Sequence, residues 1–338
     1  SKDPEPLFME NLCSMKVLQG LLKQSLEVKA VALDDGRLPC LLGDLWLLCP
    51  AMPRFTEDVL SVCVNLVSND PAAQRSLASH STMRKGASNL AKSSSGSLLS
   101  RVLDTAFSRR SSGALSAEEV QLCLHLVKVM MGAPEARAAV LKSDLLDWCV
   151  DRLDLVLAKR KFKAMCVPIL KTLCRFSFYK DGQQALLQHP GFLALIVDLA
   201  KLPSDKIRKE MSLLVRNLCV ERHSRSHFLY GDSCLNMLSD LVRAPEVETR
   251  AHVASALWAL AYHNEKFKSI LRQHELFHLL RDIEAVAVDE MQKIQLRAVP
   301  RSSAYRSHLE KLLEALAILF ELLSPTSTTS AVGVASVY

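Results

Sequence analysis

Three stretches of this 338-residue chain repeat one apolar pattern at intervals of 42 residues. They are ALLQHPGFLALIVDL (185–199), HFLYGDSCLNMLSDL (227–241) and SILRQHELFHLLRDI (269–283). In this register Leu187 aligns with Leu229 and Leu271, and four further columns are apolar in all three copies. Such agreement at a fixed interval indicates an internal repeat.

A second amphipathic segment precedes each copy, at residues 162–176, 207–220 and 249–263. Two weaker copies lie nearer the N-terminus, at 118–146 and 57–78. Two helices per unit and a short polar corner are typical of armadillo or HEAT repeats, which stack because one helix pair cannot bury its apolar face alone. The sequence therefore predicts an all-α fold, an α-solenoid of about five repeats with a C-terminal capping helix.

Shifts in composition divide the chain into segments. We expect N-terminal helices or a cap over residues 1–56, a first repeat over 57–78, and the remaining armadillo-like repeats over 117–303. The intervening residues 79–116 are rich in Ser and basic side chains, which predicts a flexible loop with one helical turn near LLSRVLDTAF. We expect the capping helix over residues 304–324 and a disordered Ser/Thr tail over 325–338.

Composition narrows the function classes. The net charge of +6 is a mild excess that does not favour nucleic acid, for which a concentrated basic stripe is expected. No apolar run reaches the roughly 18 residues that a membrane helix needs. The opening SKDPEPLF has neither an initiator Met nor the features of a signal peptide, so we expect a fragment of a longer protein.

The sequence has ten cysteines, and no two of them are spaced as C-x-x-C. Most lie among Leu and Val in helical segments, which predicts buried, reduced thiols that act as small apolar side chains. Such thiols imply a reducing compartment such as the cytosol. The six residues concerned are Cys63, Cys123, Cys166, Cys174, Cys219 and Cys234.

The chain also resembles a known family in three stretches. These are LLVRNLCVERHSRSHFL (213–229), ASALWALAYHNEKFKSIL (254–271) and the closing HLEKLLEALAILFELL (308–323). Together they are similar to the C-terminal segment of the rotatin family, very large armadillo-like proteins of centrioles and ciliary basal bodies. The resemblance covers residues 115–325 and implies a structural role in centriole assembly or elongation and in cilium formation, with localisation to the centrosome and basal body.

The stretch HELFH (274–278) matches the H-E-x-x-H pattern of zinc metallopeptidases, in which two histidines four residues apart bind one Zn²⁺. The repeat register weakens this interpretation. His274 aligns with Pro190 and Asp232 in the corner before a helix, whereas His278 lies on that helix. We therefore expect no metal site, and His274 and His278 are only weak candidates.

A partner-binding groove has four candidate residues. Arg216 and Asn217 lie on the predicted inner helix of a repeat, where Arg could pair with a carboxylate and Asn could bond a peptide backbone. Trp258 is a core or groove-lining residue, and Tyr262 occupies the position where nuclear-import adaptors carry Asn. The Trp/Asn ladder of those adaptors is therefore absent, which argues against recognition of import signals.

Basic residues recur at the predicted corners and could form a ridge for acidic partners, although a solvated face is the commoner explanation. The loop sequence SRRSSG (108–113) places two serines after two arginines, a pattern that basophilic kinases recognise. The possible phosphosites are Ser111 and Ser112. The ridge candidates are Lys159, Arg160, Lys161, Lys163, Arg222, Arg225, Lys266 and Lys268.

No nucleophile–base pair, Gly-rich phosphate loop or complete metal-ligand set is evident in the sequence. We therefore expect a non-enzymatic protein–protein interaction scaffold with no cofactor, whose partners are other proteins. The resemblance implies that these partners are centriolar or centrosomal. Two alternatives remain: a general armadillo adaptor in transport or signalling, and a zinc metallopeptidase that uses HELFH.

Overall fold

The helices of this chain follow one another in groups of three, and each group begins with a long helix. The computed structural model describes residues 5–34, 37–47, 49, 53–79, 96–108, 115–159, 163–222, 225–229, 232–296 and 301–324. Regular secondary structure in these ranges is helical, and the chain divides into two compact units, Ser1–His189 and Pro190–Tyr338. In the same ranges no helix is both long and apolar enough to cross a membrane.

Unit 1 stacks its helices in three rows. The long helices α1, α4, α7 and α10 pack in succession, as do α3, α6 and α9, and the short helices α2, α5, α8 and α11 form the third row. The elements are α1 (Glu5–Gln24), α2 (Leu26–Asp34), α3 (Arg37–Trp46), α4 (Pro53–Val67), α5 (Pro71–Ser79), α6 (Leu98–Phe107), α7 (Ala117–Met130), α8 (Pro134–Leu141), α9 (Leu145–Lys159), α10 (Lys163–Phe176) and α11 (Lys180–Gln188).

Unit 2 continues the same order along the chain. Its long helices α13, α16 and α19 pack in succession, and α12 packs against α13 and α15. The elements are α12 (Phe192–Ala200), α13 (Asp205–Val220), α14 (Arg225–Leu229), α15 (Asp232–Val242), α16 (Val247–Ala261), α17 (Glu265–Gln273), α18 (Glu275–Gln295) and α19 (Ser303–Leu323). The C-terminal helix predicted at 304–324 is α19, and its exposed side carries Arg306, Glu310 and Glu314.

Each repeat contains three helices, one more than the sequence pattern suggested. The second segment of every copy breaks in the middle, so that α11 and α12, α14 and α15, and α17 and α18 are separate elements. At the first of these breaks Pro190 is followed by Gly191, whose φ of 76° is a left-handed conformation that glycine adopts without strain. One aligned apolar column nevertheless lies in the core, because Ile196, Leu238 and Leu280 are all buried.

The helical turn predicted near LLSRVLDTAF, inside the expected flexible loop over 79–116, is a ten-residue helix. Residues 98–107 form α6, which begins at the N-cap Ser97 and buries Leu99, Val102 and Phe107 in the core of unit 1. Its Arg101 Nη1 donates to the Gly43 carbonyl at 2.8 Å. The flanking residues 80–95 and 109–114, with Ser111 and Ser112, lie outside the described residues, as does the predicted tail at 325–338.

The six cysteines predicted to be buried thiols are all buried, and none of the six forms a disulfide. Burial raises the pKa of the Cys63 thiol to about 12, so it stays protonated at neutral pH. These side chains therefore contribute to the core as small apolar groups.

Side chains of the short helices cap the long helices at the corners between them. Lys29, Gln74, Arg137 and Gln183 each occupy the fourth residue of a short helix. Lys29 Nζ donates to the Ser68 carbonyl at 2.9 Å, and Gln74 Nε2 to the Val67 carbonyl at 3.1 Å. Gln183 Nε2 donates to the Ser177 carbonyl at 2.9 Å, and Arg137 Nη1 to the Met131 carbonyl at 3.1 Å. The last carbonyls of a helix have no partner within it, so these bonds satisfy groups that the corner would otherwise leave unpaired.

Arg225 makes the most extensive corner contact in unit 2. Its guanidinium donates to the carbonyls of Cys219 at 3.2 Å and Val220 at 3.0 Å, which end α13. The same group donates to the Tyr262 carbonyl at 2.9 Å, at the end of α16. One side chain thus joins the ends of two successive long helices.

Replacing Arg225 with Met should remove these bonds and keep most of the aliphatic stem. Because partly buried carbonyls would lose their donors, we expect the free energy of unfolding to fall by about 2 kcal/mol. Urea unfolding followed by circular dichroism measures the change. Arg222→Met at the neighbouring exposed arginine is the control and should stay within about 0.5 kcal/mol of the parent. Equal effects of the two substitutions would show that the corner bonds add no stability.

Gly182 should not tolerate a side chain, whereas Gly20 should. A Cβ at Gly182 would lie 2.1 Å from the Phe176 carbonyl oxygen, a contact that forces the corner open, while a Cβ at Gly20 meets nothing within 4 Å. We expect Gly182→Ala to lower the free energy of unfolding by about 2 kcal/mol or more, because the backbone must shift. Gly20→Ala lies inside α1 and should raise it by up to about 1 kcal/mol. Thermal unfolding of both variants checks the opposite signs.

The packing of α13 on α16 should weaken in acid through His252. Its Nδ1 lies 3.1 Å from Ser212 Oγ, and burial, with the nearby Arg216 cation, lowers the pKa of His252 to about 4. The unfolded chain therefore binds more protons than the folded chain between about pH 6.5 and pH 4, so the stability lost over this window as pH falls is about 3 kcal/mol. In His252→Gln this part of the loss should disappear. Urea unfolding at several pH values compares the slopes, and parallel curves for parent and variant would contradict the assignment.

Candidate interaction surface

The long helices of unit 2 leave one line of side chains partly open to solvent. On α16 this line contains Glu248, His252, Ser255 and Trp258, spaced three or four residues apart as one helix face requires. Exposed Tyr262 continues it just beyond the end of α16. Because α16 packs between α13 and α19, the lines of three helices lie side by side. We call the set Lys209, Arg216, Glu248, His252, Trp258 and Tyr262 the α13–α16 surface.

Glu248 links the three helices through ionic contacts. Its Oε2 lies 2.7 Å from Lys209 Nζ on α13 and 3.8 Å from His308 Nδ1 on α19. Burial alone would raise the pKa of Glu248, but the hydrogen bond and charge of Lys209, with His308 and His252, lower it overall. The carboxylate is therefore ionised at neutral pH and fixes the spacing of the helices on either side.

Arg216 of the predicted groove set is half-buried on α13, close enough to His252 for its charge to lower the pKa of that imidazole. A half-buried guanidinium at a helix surface has donors in a planar fork that suits a carboxylate or a carbonyl. Arg216 can therefore contribute a directional polar contact.

Trp258 and Tyr262 supply aromatic area near the end of α16. Trp258 is half-buried, and Tyr262 is 38% exposed with its ring 4.1 Å from that of His263. The Tyr262 N–H donates to the Trp258 carbonyl at 2.9 Å, and its own carbonyl accepts from Arg225. Both the N–H and the carbonyl of Tyr262 are thus hydrogen-bonded, so the backbone that carries its ring is fixed. A fixed backbone favours a role for these side chains as anchors of a partner.

The structure corrects one member of the predicted groove set. Asn217 is only 5% exposed and faces the core of unit 2. It follows Arg216 directly on α13, and successive residues of a helix point about 100° apart, so only one of the pair can face solvent. Asn217 therefore cannot bond the backbone of a partner peptide.

The predicted basic ridge is reduced to isolated exposed cations. Lys159, Arg222 and Lys266 are exposed, whereas Arg225 caps helix ends and Lys268 is buried at 6% exposure beside Glu265, 2.7 Å away. Arg160 and Lys161 lie outside the described residues, and the Lys163 side chain is not described. The sequence analysis predicted Arg225 and Lys268 to be exposed because it treated every corner residue as solvated.

HELFH is the boundary between two helices. His274 is the N-cap of α18, and its Nδ1 accepts from the Leu276 N–H at 3.1 Å. His278 is exposed on α18, and Glu275 pairs with Arg243 at 3.3 Å. Across the part of the chain that the structure describes, no group of three or more His, Cys, Asp or Glu is arranged to hold a metal ion.

Sequence reasoning missed the polar pairs that join successive repeats. Lys209 and Glu248 are 39 residues apart, and Ser212 and His252 are 40 apart. In unit 1, Asp147 lies 2.9 Å from His189 at a separation of 42. Residues one period apart come together when repeats stack, so searching aligned positions for opposite charges or for donors and acceptors would have revealed these pairs.

Comparison with known proteins supports the fold and the resemblance. No family model matches the chain. Rotatin of Mus musculus is 24% identical over 329 residues, which cover 93% of this chain and 14% of rotatin. Rotatin of Homo sapiens is 24% identical over 340 residues, with the same coverage of 93% and 14%. The chain thus spans only about a seventh of the length of these relatives.

Solved structures match over most of the chain. A designed armadillo repeat protein in complex with the peptide (KR)4 superposes with a TM-score of 0.55 at 14% identity, over 82% of this chain and 99% of that one. An engineered protein from a structural genomics consortium also gives a TM-score of 0.55, at 13% identity, over 90% of this chain and 74% of that one. The predicted all-α solenoid of armadillo-like repeats is therefore confirmed, and so is the predicted resemblance to rotatin.

Proposed function

We propose that this chain is a non-enzymatic scaffold that binds other proteins through the α13–α16 surface. The observation that carries the proposal is the position of Arg216, Trp258 and Tyr262 along the open line of two packed long helices. A guanidinium and two aromatic rings are among the side chains that contribute most to protein interfaces.

The chemistry of the surface favours an extended peptide segment. Arg216 can donate to a carboxylate or to backbone carbonyls, and the rings of Trp258 and Tyr262 can pack against aliphatic side-chain stems. The Lys209–Glu248–His308 contacts already pair the charges between the helices, so the surface is preorganised before a partner binds. The designed armadillo protein that superposes on this chain is itself a peptide complex, which supports this mode of binding.

The similarity to rotatin supports a cellular role for the scaffold. Its centriolar setting implies that the partners are centrosomal proteins and that the chain contributes to centriole assembly or elongation and to cilium formation. A general adaptor in transport or signalling would use the same surface elsewhere in the cell. The position of His274 as a helix cap supports the non-enzymatic interpretation over a zinc peptidase.

Peptide binding should depend on Arg216 and Trp258. Random 12-residue peptides are first selected by phage display on the parent protein. Because Arg216 and Trp258 are anchors, we expect Arg216→Glu and Trp258→Ala each to bind the selected peptides about tenfold or more weakly than the parent does. Fluorescence anisotropy with labelled peptides gives the dissociation constants. Thermal unfolding confirms that the variants remain folded.

Two substitutions outside the surface are the matched controls. Lys201→Glu makes the same charge change at an exposed residue after α12, and Leu296→Ala removes an apolar side chain that is 80% exposed. Both should bind the selected peptides like the parent. If Arg216→Glu and Trp258→Ala also bind them unchanged, the proposed surface is wrong. Imaging of the tagged chain beside a centriole marker separately tests the cellular role, and absence from centrioles would favour the adaptor.

A further inference from the structure

The open side of α10 in unit 1 carries a short basic and aromatic strip. From Met165 to Phe178 the only exposed side chains are Lys171, Arg175 and Phe178, spaced four and three residues apart. This spacing puts them on one face of the helix and the turn that follows it. The remaining residues of that stretch are buried or half-buried, so solvent meets α10 mainly through these three side chains.

The cations of the strip are not neutralised by the fold. Among the residues that the structure describes, no carboxylate forms an ion pair with Lys171 or Arg175. The neighbouring α7 packs against α10 and exposes His125, whose pKa is lowered by burial and by the Lys128 cation. The His125 imidazole is therefore uncharged at neutral pH, and the positive charge of the strip comes from Lys171 and Arg175, whereas the α13–α16 surface contains a bridging carboxylate.

Aromatic rings extend the strip towards the corner. Phe178 is 51% exposed, and the Arg175 guanidinium lies 5.8 Å from its ring centre and 5.8 Å from that of Tyr179. Arg137 stacks on Tyr179 at 4.0 Å and pairs with Asp181 at 2.9 Å. The corner backbone is thus fixed, and Phe178 presents a large apolar surface beside two cations.

We propose that Lys171, Arg175 and Phe178 bind an acidic peptide segment in which an apolar side chain lies next to two carboxylates. Arg175 receives one carboxylate through its planar fork, Lys171 receives the second, and the apolar side chain packs on Phe178. This site belongs to unit 1, and it does not depend on the α13–α16 surface.

An acidic peptide fits the strip better than a nucleic acid. Tight binding of nucleic acid requires many phosphate contacts and several stacking platforms along a continuous track. Here two exposed cations and one exposed ring occupy about two helical turns, a length that matches a few peptide residues.

Three fluorescein-labelled 12-residue probes test the inference by anisotropy with the whole chain. The first contains Glu and Phe between Gly and Ser, the second replaces each Glu by Gln, and the third is a 12-nucleotide single-stranded RNA. We expect the Glu/Phe peptide to bind at least about tenfold more tightly than the Gln peptide, with affinity falling as salt rises. Tighter binding of the RNA, or no detectable binding of the Glu/Phe peptide at millimolar protein, would overturn the inference.

Substitutions then locate the site. Lys171→Glu with Arg175→Glu should weaken the Glu/Phe peptide by about tenfold or more, and Phe178→Ala by about fivefold. Lys142→Glu, at an exposed lysine of unit 1, is the control for reversing a surface charge elsewhere and should bind like the parent. Arg216→Glu should also bind like the parent, which separates this site from the α13–α16 surface. Unchanged binding by the Lys171/Arg175 variant, or equal loss in Lys142→Glu, would place the peptide elsewhere.

Discussion

The hydrogen bonds that cap the ends of the long helices determine the rest of this structure. A long helix must stop and reverse at each corner, and its last carbonyls would remain without donors in a partly buried position. A polar side chain near the start of the following short helix supplies those donors, as Gln183 does for Ser177 and Arg225 for Val220. The residue types differ from corner to corner, but the position relative to the helix end is nearly constant. Corner geometry is therefore conserved within the molecule while the sequence varies.

Closed corners allow the long helices to stack at regular intervals. Regular stacking brings residues one period apart into contact, and the polar pairs Asp147–His189 and Lys209–Glu248 form in this way. The same bonds connect one corner to the next, because Lys29 and Arg225 reach carbonyls at the end of a later long helix. Burial in the core stabilises each unit, while these polar contacts fix the register of the helices.

The sequence was sufficient for the fold class because stacked repeats leave their apolar columns in the sequence. Ile196, Leu238 and Leu280 occupy one aligned column and are buried as that alignment predicts. The pattern predicted only one helical turn of α6, since its ten residues lie between Ser-rich stretches and its Arg101 is buried against a carbonyl rather than solvated. The hydrogen bond from Trp46 to Thr105 joins α3 to α6 and spans 59 residues, whereas equivalent positions in other repeats are about 42 residues apart. The longer connection between α5 and α6 therefore kept α6 out of register in a search at a fixed period.

Site residues were harder to predict than the fold because a polar residue on a helix has several possible environments. Arg216 and Asn217 are adjacent in sequence, yet one is half-buried at the surface and the other faces the core. Lys268 and Lys266 differ in the same way, since one is buried beside Glu265 and the other is exposed. Helix phase decides these outcomes, and an error of one residue in the predicted phase rotates a side chain by about 100°.

The two surfaces left open by the long helices differ in how their charges are satisfied. In unit 2, Glu248 lies between Lys209 and His308, so the net field is weak and recognition must depend on Arg216 and on contact with the aromatic rings. In unit 1, Lys171 and Arg175 have no carboxylate paired with them among the described residues, so their field extends into solvent by roughly a Debye length. A scaffold with one surface of each kind can select a partner at the first by shape and at the second by charge. Each surface lies mainly on exposed helix positions away from the corners, so substitutions there would alter recognition without disturbing the bonds that hold the fold.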